Sequence, residues 1–411
     1  MRAATLRHSL IVFLCILMIL MTSSAQTETG LAELVAGNNT FAFDFYQAIA
    51  PQSDGNLIFS PYSISQALAM TYAGARGNTE TQMRDTLHFT LPQATLHPAF
   101  WALHTDLMSR GTTGADAESP SLQLYIANAL WGQQGYPFLP DYLALVQANY
   151  GAGLIPVDFA GAPEESRLQI NDWVAEQTED RILDLIPPGI IDGLTRLVLT
   201  NAVYFKTTWL YPFDPAATQE APFTLLDNST VSVPTMTGEQ MASFADSDEC
   251  QAIELPYYGE NMAMLILLPP EKVDFAEFEA SLNAQVFADT VQGLQSEQIQ
   301  LFLPRFEYES EWNLSDTLKE MGMPEAFEDG AADFTGMTGT RDLAISAVLH
   351  KAFIGVDESG TEAAAATAVI MGTRSAAMPM EVHIDRPFVF IIYDKPTQTI
   401  LFIGRVLNPA E

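Results

Sequence analysis

Hydrophobic and polar positions change their spacing several times along the chain, and each change marks an element. Leu31 to Ala50 puts Phe41, Phe45 and Ile49 on one helical face. Ser60 before Pro61 predicts a capped helix start, with Ile64, Leu68 and Ala69 as its buried stripe and Gly74 as its end. Thr79 and Gln82 are spaced as a capping box for the next helix. Leu122 to Trp131 reads as a strand, Pro140 to Tyr150 as a helix, and Pro163 to Thr178 as an amphipathic helix with Leu168, Ile170, Trp173 and Val174 as its apolar set. Arg196 to Lys206 is almost continuously apolar, the pattern of a strand covered on both faces. Asn201 interrupts it, and a polar group there costs roughly 1–3 kcal/mol unless it is hydrogen-bonded. Met262 to Leu268, Ile299 to Glu307, Ile345 to Val356, Phe388 to Tyr393 and Ile400 to Val406 are further strand runs. Trp312 to Gly322 is predicted helical, and Asp394-Lys-Pro-Thr-Gln a turn.

Between two of these strand runs lies Ser359 to Glu381, too long for an ordinary connection and neither highly charged nor rich in Pro and Ser. The four alanines Ala363, Ala364, Ala365 and Ala366 suit a helix by propensity. Every second residue from Thr361, however, is small or apolar: Thr361, Ala363, Ala365, Thr367, Val369 and Met371. Glu362 falls on the other parity, so the segment is also written to lie in a sheet with one face on a core. Gly360 supplies backbone freedom ahead of it. Arg374 is the only Lys or Arg between Lys351 and Arg386, and Arg374-Ser375 is exposed bait for a trypsin-like protease.

This stretch resembles the hinge and reactive-centre loop of a serpin, in which a Gly-Thr-Glu-Ala-Ala hinge precedes the scissile bond by about fifteen residues. Counting from Gly360 reaches Arg374-Ser375. Asn56 to Thr79, Asp333-Phe-Thr-Gly-Met337, Arg386-Pro-Phe-Val-Phe and Phe402 to Pro409 are similar to further family signatures in the same order. The resemblance implies an α+β serpin fold, eight to nine helices around three β-sheets with a large central sheet and an exposed loop over 358–381. It assigns Ser60, Ser63, Asn201 and His350 to a polar cluster beneath the large sheet, the shutter. Trp209 and Arg305 fall at the breach, where insertion begins, with Arg305 facing Glu358; Glu358, Gly360, Thr361, Glu362 and Ala363 to Ala366 form the hinge. The implied activity is irreversible suicide-substrate inhibition of a trypsin-like serine protease. A reactive bond shifted to Met371 or Met378 implies a chymotrypsin- or elastase-like target, an Arg-preferring cysteine protease is a further target class, and a non-inhibitory carrier, storage protein or chaperone is the alternative.

Composition narrows the partners. Met1 to Ala25 reads as an export signal, with Arg2 and Arg7 before the apolar run Leu10 to Met21, leaving 26–411 as one domain that is extracellular or periplasmic. Removing those two arginines takes the formal charge from −33 to −35. So acidic a surface repels nucleic acid, heparin-like polyanions and anionic membranes. Ala94 to Gly114, where heparin-binding members carry a basic patch, has Arg110 as its one cation, so no such activator is expected. Cys250 has no partner once Cys15 is removed. The sequence holds no catalytic motif and no metal-ligand spacing among its histidines, so a monomeric protein with no cofactor, no metal and no enzymatic activity is expected. Sequons at Asn38, Asn228 and Asn313 are assigned no role.

Overall fold

The computed structural model describes residues 30–110, 123–151, 153–361 and 379–411. The export signal, Glu362 to Ala366 and Arg374-Ser375 lie outside the described residues. The first strands are β1 (Leu57–Phe59), β2 (Gln123–Gln133), β3 (Leu154–Val157), β4 (Leu197–Thr208) and β5 (Gln219–Thr224). Then come β6 (Thr230–Asp246), β7 (Gln251–Pro256), β8 (Met262–Leu268), β9 (Gln295–Pro304) and β10 (Phe306–Asn313). The last are β11 (Ala347–Val356), β12 (Gly360–Thr361), β13 (Met380–His383), β14 (Phe388–Asp394) and β15 (Thr399–Val406).

One sheet has the order β10-β11-β12-β4-β2-β3, with β11 also pairing β4 directly. The other strands form the ladder β1-β15-β14-β8-β7-β6-β9-β13, with β5 on β6. β6 is 17 residues long and serves two sheets: Thr230–Thr235 pairs with β5, Thr235–Phe244 with β9, and Ser243–Asp246 with β7. Divided along β6, the architecture is three-sheeted and α+β, as expected. The described residues hold ten α-helices, close to the eight or nine expected: one over 30–49 and nine more between Pro61 and Thr338.

The mixed sheet has a core on each face, which explains the unbroken apolar run of β4. Leu199, Val203 and Phe205 of β4, with Val348, Ala352 and Ile354 of β11, join the main core. The alternate residues Val198, Ala202, Ala347 and Leu349 join a smaller one. That core is covered by Ile170 and Val174 of the helix Pro163–Gln177 and by Ile182, Leu185 and Ile186 beyond it.

Several local expectations are corrected. Thr79 and Gln82 form no capping box. The helix Gly77–Thr86 has Arg76 at its N-cap without a side-chain bond, while Thr79 Oγ1 accepts from Asp333 N at 2.9 Å and Gln82 Oε1 from Glu325 N at 3.0 Å. The helix from Pro61 runs to Tyr72 with Ala73 as its C-cap, so Gly74 does stand just past its end. Trp312 belongs to β10, and the helix after it starts at Ser315. The run Ile299 to Glu307 divides at Arg305, between β9 and β10. Leu168 is 45% exposed and is not part of its helix's buried face.

Candidate functional site

The mixed sheet has a seam between β4 and β11. Over its lower part the two strands pair in parallel, from Val198↔Ala347 to Tyr204↔Phe353. At the top β12 wedges them apart, with Gly360↔Thr208 and Thr361↔Thr207 on one side and Thr361↔Val356 on the other. Gly360 has φ +156°, and a Cβ there would overlap the backbone of Thr207 and Thr208. Only glycine fits, because the chain turns into the sheet against the backbone of β4.

The wedge is held from all sides. Thr361 is 1% exposed and its hydroxyl meets the Tyr257 hydroxyl at 2.7 Å. Tyr257 stacks on Trp209 with ring centroids 4.6 Å apart and planes within 6°. Trp209 donates from its indole nitrogen to Asp357 O and from its backbone to Ser359 O, both at 2.9 Å. The Asp357 carboxylate accepts from Ser359 N at 2.8 Å and Gly360 N at 3.2 Å, closing the turn that feeds the wedge. Burial raises the Asp357 pKa. Glu358 is buried, and burial alone would raise its pKa too. Hydrogen bonds from Arg305 and Thr218 outweigh that and hold the carboxyl below its usual range. Arg305 Nε donates to Glu358 at 2.8 Å, from a side chain 42% exposed.

Lower down, polar side chains cross the seam in one row. Register sets Asn128 of β2 beside Asn201 of β4, and Asn201 beside His350 of β11. His350 Nε2 accepts from Ser60 N at 3.2 Å, so its proton sits on Nδ1 and is donated to Asn201 Oδ1. Asn201 Nδ2 donates to Ser63 Oγ at 2.5 Å and to Asn128 Oδ1. Ser63 Oγ donates to Asn128 Oδ1 at 2.8 Å. Ser60 Oγ caps its helix by accepting from Ser63 N at 3.4 Å. Burial lowers the His350 pKa to about 3, which keeps the ring neutral and able to accept.

The structure thus brings Ser60, Ser63, Asn201 and His350 together, and separately Trp209, Arg305, Glu358, Gly360 and Thr361. Three members were missed from sequence. Asn128 bridges the row, donating to Ser63 O at 3.0 Å and Gln66 Oε1 at 2.9 Å, and Tyr257 anchors Thr361. Asn128 carried the same signal as Asn201, a polar residue inside an apolar strand run; Tyr257 and Gln66 carried none. Among the described residues no group of three or more His, Cys, Asp or Glu could hold a metal ion. Cys250 is half-buried, with its thiol pKa raised by burial.

The family model for serpins (serine protease inhibitors) matches residues 36–409. The chain belongs to the serpin family. A leukocyte elastase inhibitor of Sus scrofa is 41% identical over 387 residues, covering 92% of this chain and 100% of that protein. Serpin48 of the insect Tenebrio molitor, a highly specific serpin, superposes with a TM-score of 0.80 at 30% identity, covering 92% of this chain and 98% of the other. Human thyroxine-binding globulin bound to its hormone superposes with a TM-score of 0.81 at 31% identity, covering 93% and 100%.

These relatives correct one expectation. The secreted localisation does not stand, because leukocyte elastase inhibitors matched over their whole length are intracellular serpins. Relatives named as inhibitors of a protease bear on enzymatic activity more directly than the missing motifs do.

Proposed function

We propose that this serpin is an irreversible suicide-substrate inhibitor whose residues 26–411 act as one unit, with 358–381 as the reactive loop. The carrying observation is the wedge: Gly360 and Thr361 already occupy the seam in strand register with both neighbours. Carried onward, that register sets Ala363 against Phe205 and Ile354, Ala365 against Val203 and Ala352, and Val369 against Leu199 and Val348. All six neighbours face the main core. Thr367 meets Asn201 and His350, the polar row that an entering strand has to part. The alternation of small and apolar residues along the loop therefore fits the seam position by position.

The chemistry is the protease's. Its serine oxygen attacks the Arg374 carbonyl carbon, the bond to Ser375 N breaks, and Ser375 leaves as a free amine carrying the proton taken from the serine. The acylated loop then inserts and carries the protease with it. The native form is kinetically trapped above the inserted one. Arg374 selects a trypsin-like target. The relatives named for elastase favour a second reading, in which Met371 or Met378 presents the bond.

The test mixes the protein with trypsin at near-equimolar ratio. A covalent band at the summed mass, with a small fragment starting at Ser375, is expected. Clean cleavage after Arg374 with full residual trypsin activity overturns inhibition and favours a carrier role such as the thyroxine-binding neighbour's name describes. A complex with elastase but not trypsin keeps the mechanism and moves the bond.

A further inference from the structure

The helix Pro163–Gln177 buries Ile170 and Val174 against the sheet and leaves a second face outside. There, beside β2 and β3, lies a groove of about 500 Å³. Its floor is apolar. Trp173 is half-buried and meets the fully buried Trp131 edge to face with centroids 5.4 Å apart, Ile155 pairs beside Trp131, and Leu168 lies 45% exposed. The Trp131 ring nitrogen already donates to Thr200 Oγ1 at 2.8 Å, so that ring brings no free donor to the groove. Glu165, Asp172 and Glu176, spaced to share one helix face, form the rim. All three are exposed, and no Lys or Arg lines the groove.

We propose that this groove binds a basic peptide segment of a partner protein. An Arg or Lys side chain lies over the half-buried Trp173, where a cation is attracted to the ring face. Its charge is met by Asp172 and Glu176, one helical turn apart. Charge complementarity selects this occupant: aromatic floor and carboxylate rim both favour a cation, and the chain's net charge of −33 raises its local concentration. An apolar or acidic segment would leave the rim carboxylates uncompensated.

Resting on the inhibitor reading, the site also has a consequence. The same helix covers Val198, Ala202, Ala347 and Leu349, the outer face of the paired seam. A strand entering there has to lift that cover. A peptide bridging the helix to Ile155 on β3 holds it down, slows insertion and lets more cleavages end in hydrolysis.

The probe is acetylated hexa-arginine, titrated into the full chain at 0.15 M salt with tryptophan fluorescence as the readout. Saturable quenching is expected, and the signal should largely disappear in Trp173→Phe. Asp172→Asn with Glu176→Gln should weaken binding about tenfold. Asp248→Asn with Glu249→Gln, exposed acids elsewhere, should leave it unchanged. Non-saturable binding, or equal weakening by both pairs, overturns the site in favour of general attraction to an acidic surface. A second readout is the ratio of serpin to protease needed for full inhibition, which should rise with bound peptide. If no protease forms a covalent complex, the inhibitor reading fails while the fluorescence result still decides the groove; if complexes form and the peptide does not bind, the groove alone is lost.

Discussion

The two ends of the seam are built in opposite ways. At the top, strand β12 already separates β4 from β11, and the groups that hold it there, Tyr257, Trp209 and the Arg305–Glu358 pair, all lie at its flanks. At the bottom the strands pair directly, and the row Asn128–Asn201–His350 is tied to the helix start at Ser60 and Ser63. The top is open with its contents clamped, whereas the bottom is closed and has to be broken. An entering strand would first have to part the backbone ladder from Tyr204↔Phe353 to Ala202↔Lys351 and then the polar row, where side-chain bonds as well must be exchanged for bonds to the newcomer. A polar row suits that step: an apolar strand pair would have no side-chain bonds to hand over, and Thr367 brings a hydroxyl to the same level.

Thr361→Arg should break the comparison most strongly, at the top. It forces an unpaired charge into a site 1% exposed, a cost of several kcal/mol. Covalent inhibition should fall at least a hundredfold while loop cleavage continues, read as the ratio of complex to cleaved product.

Asn201→Ala attacks the bottom. It leaves the His350 Nδ1 proton and the Ser63 and Asn128 oxygens without this partner, and should cost about 2–4 kcal/mol in urea unfolding. If the polar row only closes the seam, inhibition should fail through premature opening and not through lost cleavage.

Acid should sharpen the same contrast. His350, with its pKa lowered to about 3, and His97, lowered by burial to about 4, stay neutral when folded and protonate near 6.5 when unfolded. Their contribution is fully present above 6.5 and is lost as pH falls. By pH 5 each should cost about 2 kcal/mol. A urea midpoint that falls between pH 7 and 5, and falls less in His97→Gln, is the expected result.

Arg305→Ala is the mildest. Arg305 is 42% exposed, but Glu358 is only 5% exposed and would keep Thr218 alone as a side-chain partner, so native stability should fall by about 1–2 kcal/mol. The partial opening of the seam should still become measurable as faster hydrogen exchange at Thr361.

Much of this was legible in the residues. Asn201 was marked by its place inside an apolar run, Ser60-Pro61 by capping logic, and Gly360-Thr361 by the change to period two behind them. What single residues could not show was which groups meet across distant strands. Thr79 has a capping residue's chemistry, yet its hydroxyl accepts from Asp333 N, 254 positions away. Leu168 sits among apolar neighbours at helical spacing, but the helix presents only one narrow stripe to the sheet, and Leu168 lies on the side lining the groove. Tyr257 is one of many aromatic residues until β12 is in place beside it. Periodicity reports a face, while the partner on that face is set by topology.

The most direct test of the seam as a strand-accepting site is thermal unfolding of the intact chain and of the chain cut once after Arg374. Insertion adds a strand with buried alternate residues and a full set of ladder hydrogen bonds, so the cut form should unfold roughly 10 °C or more above the intact one. An unchanged or lower unfolding temperature after complete cleavage would contradict the account, because the loop would then have been severed without entering the sheet.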